Sequence, residues 1–242
     1  MKTRLYLLLI LGLANLTQAQ KTTKIIPATR EIILNSADTI KKIRIFIHNP
    51  PLTTKANRFY AWYQKQLILH TQGAWSGKLL QGHYEAFYPN HNLLEQGRYE
   101  KGWKVGPWKT WYANGTLKES NYWVNGLQQG SRARFNPEGQ LIRQETYKKG
   151  YQHGRFQAFN AQGQVIEKKH YKKGQLHGPF EMFDATGKRI QKGRYQQNQL
   201  HGTLSTFSGE EETTTVYKKG QVVVKKPKRK KKEPKAPSKD KS

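Results

Sequence analysis

The chain has 242 residues, with 43 Lys and Arg against 16 Asp and Glu, eight His, two Met and no Cys. A formal charge of +27 calls for an anionic partner, and the missing cysteines exclude disulfides, thiolate metal sites, a thiol nucleophile and a cysteine lipid anchor. Hydrophobic residues, at 35%, are too few for a thick classical core, yet 12% aromatic is more than a disordered basic chain carries, so part of the chain folds around rings.

Lys2 and Arg4 precede an apolar run from Leu5 to Ala14 that is too short for a membrane span of roughly 20 residues. Thr17-Gln18-Ala19 then places small residues where a signal peptidase reads. Residues 1–19 read as a cleaved secretory signal, which leaves Gln20 at the mature N-terminus and sends the chain to the periplasm, outer envelope or medium of a bacterium. No later segment reaches membrane-spanning length. In residues 20–57, Ile25-Ile26, Glu31 to Leu34 and Ile43 to Ile47 predict two or three strands, ended by Asn49-Pro50-Pro51. They are expected to cap the first edge of a sheet.

The next stretch, 58–224, is periodic. Gly82, Gly106, Gly130, Gly154, Gly178 and Gly202 fall 24 residues apart with no insertion. Five positions after each glycine stands a ring, Phe87, Trp111, Phe135, Phe159, Phe183 and Phe207, and seventeen after it stand Tyr99, Trp123, Tyr147, Tyr171 and Tyr195. Two after it the ring is less strict: Tyr84, Trp108, Phe156 and Phe180 keep it, while Arg132 and Leu204 depart. A degenerate copy starts near Arg58 with Tyr60, Tyr63, Leu69 and Trp75 on the same phases, making seven units. Glycine-bearing turns at Asn114-Gly115, Glu138-Gly139, Gln162-Gly163 and Thr186-Gly187 alternate with Lys149-Gly150 and Lys173-Gly174, so each unit reads as a β-hairpin and helices have no room. The expected fold is all-β, an elongated antiparallel meander of about fourteen strands that spans near 65 Å at roughly 4.8 Å per strand. Such a sheet needs stacked rings rather than a thick aliphatic core.

Three stretches carry a resemblance: Tyr99-Glu-Lys-Gly-Trp-Lys-Val-Gly106, Tyr147-Lys-Lys-Gly-Tyr-Gln-His-Gly154 and Tyr171-Lys-Lys-Gly-Gln-Leu-His-Gly178. They are similar to the Y-x-x-G-x-x-x-G signature of MORN repeats. The 24-residue period and aromatic-x-x-aromatic strand resemble the bacterial MORN-variant family, often labelled YwqK-type antitoxin. The resemblance implies a scaffold or interaction surface, and does not by itself imply a particular activity.

Candidate chemistry is sparse. His153, His177 and His201 share one phase, but equivalent positions in neighbouring hairpins lie two strands apart, about 10 Å, too far for one metal ion whose ligands must each sit about 2 Å away. A turn role is expected for them. Glu95, Glu119 and Glu167 share another phase with the same spacing, interrupted by Arg143 and Gln191, and are expected on a strand face beside cross-strand cations. Asn114-Gly115-Thr116 matches a glycosylation sequon on a tight turn. With no G-x-S-x-G, H-E-x-x-H or phosphate loop, neither an enzyme nor a cofactor is expected.

Binding remains. Trp103, Tyr112 and Tyr122 are rings beyond those the phases require and lie near Trp123, so an aromatic surface for a glycan or a protein is one expectation. Lys148, Lys149, Lys168, Lys169, Lys172 and Lys173 form a second, a basic band. The third is the tail, 225–242, with ten basic and two acidic residues: Lys225, Lys226, Lys228, Arg229, Lys230, Lys231 and Lys232 lead it, and its composition predicts disorder. The net charge thus divides into +2 on the signal, +8 on the tail and +17 between them. Export argues against nucleic acid, and favours a protein partner or an anionic envelope component such as a lipid headgroup, lipopolysaccharide or cell-wall polymer. The sequence therefore points to an exported, non-enzymatic repeat scaffold with an electrostatic tail. A secreted carbohydrate-binding module is the alternative, and an antitoxin-like regulator applies if the N-terminus is retained.

Overall fold

A computed structural model describes residues 27–223; the signal segment and the basic tail lie outside them. The strands are β1 (Thr29–Asn35), β2 (Ile40–Phe46), β3 (Phe59–Gln64), β4 (Leu67–Gln72), β5 (Lys78–Phe87), β6 (Leu93–Glu100), β7 (Trp103–Trp111) and β8 (Leu117–Val124). The chain continues through β9 (Leu127–Gln128), β10 (Gly130–Phe135), β11 (Leu141–Lys148), β12 (Tyr151–Phe159), β13 (Val165–Lys172) and β14 (Gln175–Leu176). It ends with β15 (Gly178–Phe183), β16 (Arg189–Gln196), β17 (Gln199–Leu200), β18 (Gly202–Ser208), β19 (Glu211–Lys218) and β20 (Gln221–Val222). All are antiparallel and connect through one sheet, which follows the period from β5 onward.

Each unit is a hairpin in register on its own period. The phase glycine faces the phase tyrosine or tryptophan: Gly82 opposes Tyr99, Gly106 Trp123, Gly130 Tyr147, Gly154 Tyr171, and Gly178 Tyr195. A bulge recurs one residue before the second ring, between Ala86 and Phe87, Thr110 and Trp111, and so on to Met182 and Phe183. Strand alternation sends the two aromatic phases to opposite faces. Tyr84, Trp108, Phe156 and Phe180 join the phase tyrosines on one, where Tyr84, Tyr99 and Trp108 lie 4.9–5.6 Å apart between centroids. Phe87, Phe183 and Phe207 lie on the other, beneath Lys42, Lys168 and Lys192.

Successive hairpins are stitched along the turn edge. The amide nitrogens of Gly102, Gly126, Gly150, Gly174 and Asn198 donate to the carbonyls of Leu80, Lys104, Gln128, Gln152 and Leu176, 2.8–3.0 Å away. On the opposite edge Tyr88 and Tyr112 donate their hydroxyls to the carbonyls of Trp111 and Phe135 in the next unit, both at 2.9 Å. Each unit thus completes the hydrogen bonding of its neighbour.

The N-terminal part differs from a simple meander. Strands β1 and β2 do add to the first edge: β2 pairs along β5, from Ile40 with Phe87 to Ile45 with Leu80. The β3–β4 hairpin, expected as the first in-line unit, meets β5 only at Trp62–Leu79 and Tyr63–Lys78, because β2 already occupies the length of that edge. It folds back over the ring-bearing face instead. Ala61, Tyr63 and Ile68 pack on Ile43, Ile45, Leu80, Tyr84, Ala86, Tyr99 and Trp108, while Tyr60 and Trp62 join Phe46, Leu79 and Trp103 in a second cluster. Both buried clusters draw only on residues up to 123, and among the described residues no second layer lies over β10–β19.

Candidate functional site

The four rings singled out in the sequence do not form one surface. Trp103 is 8% exposed and packs 5.5 Å from Tyr60, so it belongs to the core. It occupies the position just after a turn glycine, in series with Leu79, Leu127 and Tyr151, and each of these side chains lies under the turn glycine of the next unit. Tyr112 is half-buried and spends its hydroxyl on Phe135 O. Trp123 is half-buried on the ring face and donates from Nε1 to Asn121 Oδ1 at 2.6 Å, whereas Tyr122 is exposed on the other face. Lys225, Lys226, Lys228, Arg229, Lys230, Lys231 and Lys232 lie outside the described residues.

Where the third unit replaces its ring with Arg132, the aromatic ladder gives way to a polar network. Arg132 Nη2 and Arg134 Nε donate to the same Glu119 oxygen at 2.7 and 2.9 Å, and Asn121 donates to the other at 2.7 Å. Arg132 also reaches Tyr147 Oη at 3.2 Å, and Tyr147 donates to Glu145, which is 4% exposed. Burial opposes ionisation of Glu119, but hydrogen bonds and charge from Arg132 and Arg134 outweigh it and hold the carboxyl below its usual range. Burial likewise opposes the Arg132 charge and Glu119 overcomes it, raising that pKa. Burial first, then Glu145, pushes the Tyr147 phenol up, against the pull of Arg132. These groups pair mostly with one another, leaving Arg132 Nε without a partner, and the network reads as a structural junction rather than a reactive centre.

The phased carboxylates have near cations: Glu95 binds Lys104 at 2.9 Å across the strands, and Glu167 binds Lys169 at 2.6 Å along its own strand. Of the phased histidines, His153 accepts from Lys173 N at 3.5 Å, while the amides of His177 and His201 donate to His170 O and Arg194 O. Asn114 of the sequon uses both ends of its amide, on Pro137 O and Thr116 N.

The basic band also divides. Lys168 pairs with Glu181 at 3.7 Å on one face and Lys169 with Glu167 on the other. Lys148, Lys149 and Lys173 instead meet at the turn edge, where with Tyr151 and His153 they line an open cleft of about 610 Å³. No carboxylate lines this cleft. Tyr151 is 60% exposed and lies beside Gly174, between the turn that carries Lys149 and the one that carries Lys173. The sequence reading expected a turn role for His153 and did not single out Tyr151, although Tyr151 falls on the 24-residue series that starts at Leu79. The series is covered by the β3–β4 hairpin at Leu79 and Trp103, and emerges into solvent at Tyr151.

No curated protein sequence matches the chain significantly. Residues 104–125, 152–173 and 176–197 match the MORN repeat variant. Each stretch runs from the carbonyl acceptor of one turn-edge hydrogen bond, Lys104, Gln152 or Leu176, to the residue before its donor, Gly126, Gly174 or Asn198, which is the unit that the stitched hydrogen bonds define. The chain therefore carries repeats of the MORN-variant type, stacked as one open β-sheet scaffold.

Proposed function

We propose that this protein is an exported, non-enzymatic scaffold that holds a protein or an anionic envelope component against its sheet, with residues 225–242 adding electrostatic attachment. The observation that carries the reading is the uneven cover of the sheet. The β3–β4 hairpin roofs the ring face over the first strands, and β10–β19 are left without a second layer among the described residues. On this face Phe156 and Phe180 are buried beneath neighbouring side chains while Tyr147, Tyr171 and Tyr195 stay half-buried beside arginines and lysines, which suits a partner with both apolar and anionic groups. The cationic excess of the body, +17 over residues 20–224, and the +8 of the tail favour a negatively charged setting. At about 1 kcal/mol per basic residue near an anionic surface, the tail is sufficient for salt-sensitive adhesion.

Two measurements test this. Mass spectrometry of the native protein should give Gln20 as its first residue; an intact Met1 would favour the cytosolic regulator instead. Cell fractionation should place the full chain with the envelope at low salt and release it at high salt. Deletion of 225–242 should lower the salt needed for release, and unchanged retention would remove the tail from the account.

A further inference from the structure

We infer that the turn edge around Tyr151 is a binding site for an acidic polysaccharide, with Tyr151 as the platform for one sugar ring and Lys149 and Lys173 as clamps for its anionic groups. The inference deepens the scaffold reading and rests on it for the cell-surface setting.

The site is built by the repeat itself. At one position of each period, Leu79, Trp103, Leu127 and Tyr151, the side chain lies under the turn glycine of the next unit. The first two are sealed by the β3–β4 hairpin; at Tyr151 no such cover exists among the described residues, and the ring is mostly in solvent. An exposed ring beside a turn glycine is an apolar platform of the kind the apolar face of a pyranose stacks on. Around it, Lys148, Lys149, Lys173 and His153 converge on one cleft with no acidic side chain in its lining. Lys149 and Lys173 are the first residues of equivalent turns in consecutive units, so their backbones lie two strand spacings apart, about 10 Å. Lys219 holds the same turn position near the C-terminal end of the row, beyond a turn that carries Gln197.

The shape of this array selects the ligand class. The lysines follow a line along one edge of the sheet, with a ring between the first two. A linear polymer that alternates sugar faces with carboxylate or sulfate groups matches both the line and the ring. A bilayer surface offers charge over a plane and no stacking partner. Tyr151 is therefore the residue that distinguishes an acidic glycan from a general polyanion.

The test uses the full chain and calorimetric titration with oligogalacturonate, a chain of uronic acids, against neutral dextran and against vesicles containing phosphatidylglycerol. Lysines 149 and 173 hold left-handed backbone, so Lys149→Asn and Lys173→Asn remove charge with a residue that tolerates that conformation. The wild-type chain should bind the oligouronate and not dextran. The double variant should lose about tenfold in affinity, and Tyr151→Ala about as much, the usual effect of removing an anchor side chain. Tyr151→Phe, which keeps the ring, should retain binding. Lys109→Gln with Lys118→Gln, two exposed lysines elsewhere, serves as the charge-matched control and should change little. The inference is overturned if no oligouronate binds, if the control pair weakens binding as much as the turn pair, if Tyr151→Ala binds like wild type, or if vesicles bind more tightly through the same residues. Because purified ligand is used, failure here leaves the fractionation result standing, and failure of export leaves this titration standing.

Discussion

Gly97 and Gly106 are glycines for different physical reasons. A Cβ on Gly97 would lie 2.2 Å from Trp108 Cδ2, so the position is empty because a ring fills it. A Cβ on Gly106 would meet nothing within 4 Å, but the backbone there has φ of +68°, which a side chain disfavours. Gly97→Ala should therefore cost about 1–3 kcal/mol by overpacking and couple to Trp108→Phe in a double-mutant cycle. Gly106→Ala should cost about 1–2 kcal/mol and show little coupling, as thermal unfolding of the variants will report. Glu119 makes a second prediction. Its folded pKa is depressed, so the stabilisation it contributes is complete above its unfolded value of 4.5 and is lost as pH falls through the lower folded value. Glu119→Gln should cost about 1–3 kcal/mol at pH 7, where it leaves Arg132 and Arg134 underpaired, and much less at pH 3, measured by denaturant titration at both. At this scale the sequence disclosed the phases and left the pairings obscure. Arg132 stood out as a missing ring, but its partners Glu119 and Glu145 come from neighbouring strands whose register only the fold supplies. Trp103 counted as surplus because the series that links it to Leu79 and Tyr151 runs through the turns, where ring identity is not kept.

Hairpins and their turns were the most legible elements, since glycine spacing and strand alternation state them directly. The turns at 149–150 and 173–174 have positive φ at both central residues, 53° and 85°, then 52° and 83°, the pattern of type I′. Lysine is a poor occupant of the first position. Lys149→Asn and Lys173→Asn should each stabilise the chain by roughly 0.5–1 kcal/mol, part of the left-handed penalty of an ordinary residue, and raise the melting temperature. A stability loss at a position chosen so poorly by conformation would mean that the lysine side chain holds the turn. The β3–β4 hairpin was the least legible element. Its rings fall on the repeat phases, so local pattern predicts an in-line unit. The decisive facts are non-local: β2 takes the edge of β5, and Gly77 lets the two layers approach so closely that a Cβ there would lie 2.3 Å from Tyr63 O.

For the whole molecule, nearest-neighbour stitching implies that stability is a sum of units and interfaces over β10–β19, with a cooperative block before it. Deleting 154–177, one full period, should leave a folded chain that scattering finds shorter by roughly 10 Å, because the joined ends keep phase. Removing the hairpin at 58–73 should abolish cooperative unfolding instead, since it strips the cover from Tyr84, Tyr99 and Trp103. The charge that first marks this chain gains an address at the same scale. Its positive groups divide between ion pairs across the sheet faces, a turn-edge cleft with no carboxylate in its lining, and a tail beyond the described residues. The central claim is that the sheet beyond the hairpin is the working surface. Hydrogen exchange of the full chain, with and without solubilised envelope, tests it most directly. Protection should rise in β10–β19 and at residues 148–153 and 173, with β5–β8 unchanged; protection confined to β1–β8, or none on the sheet at all, would contradict it.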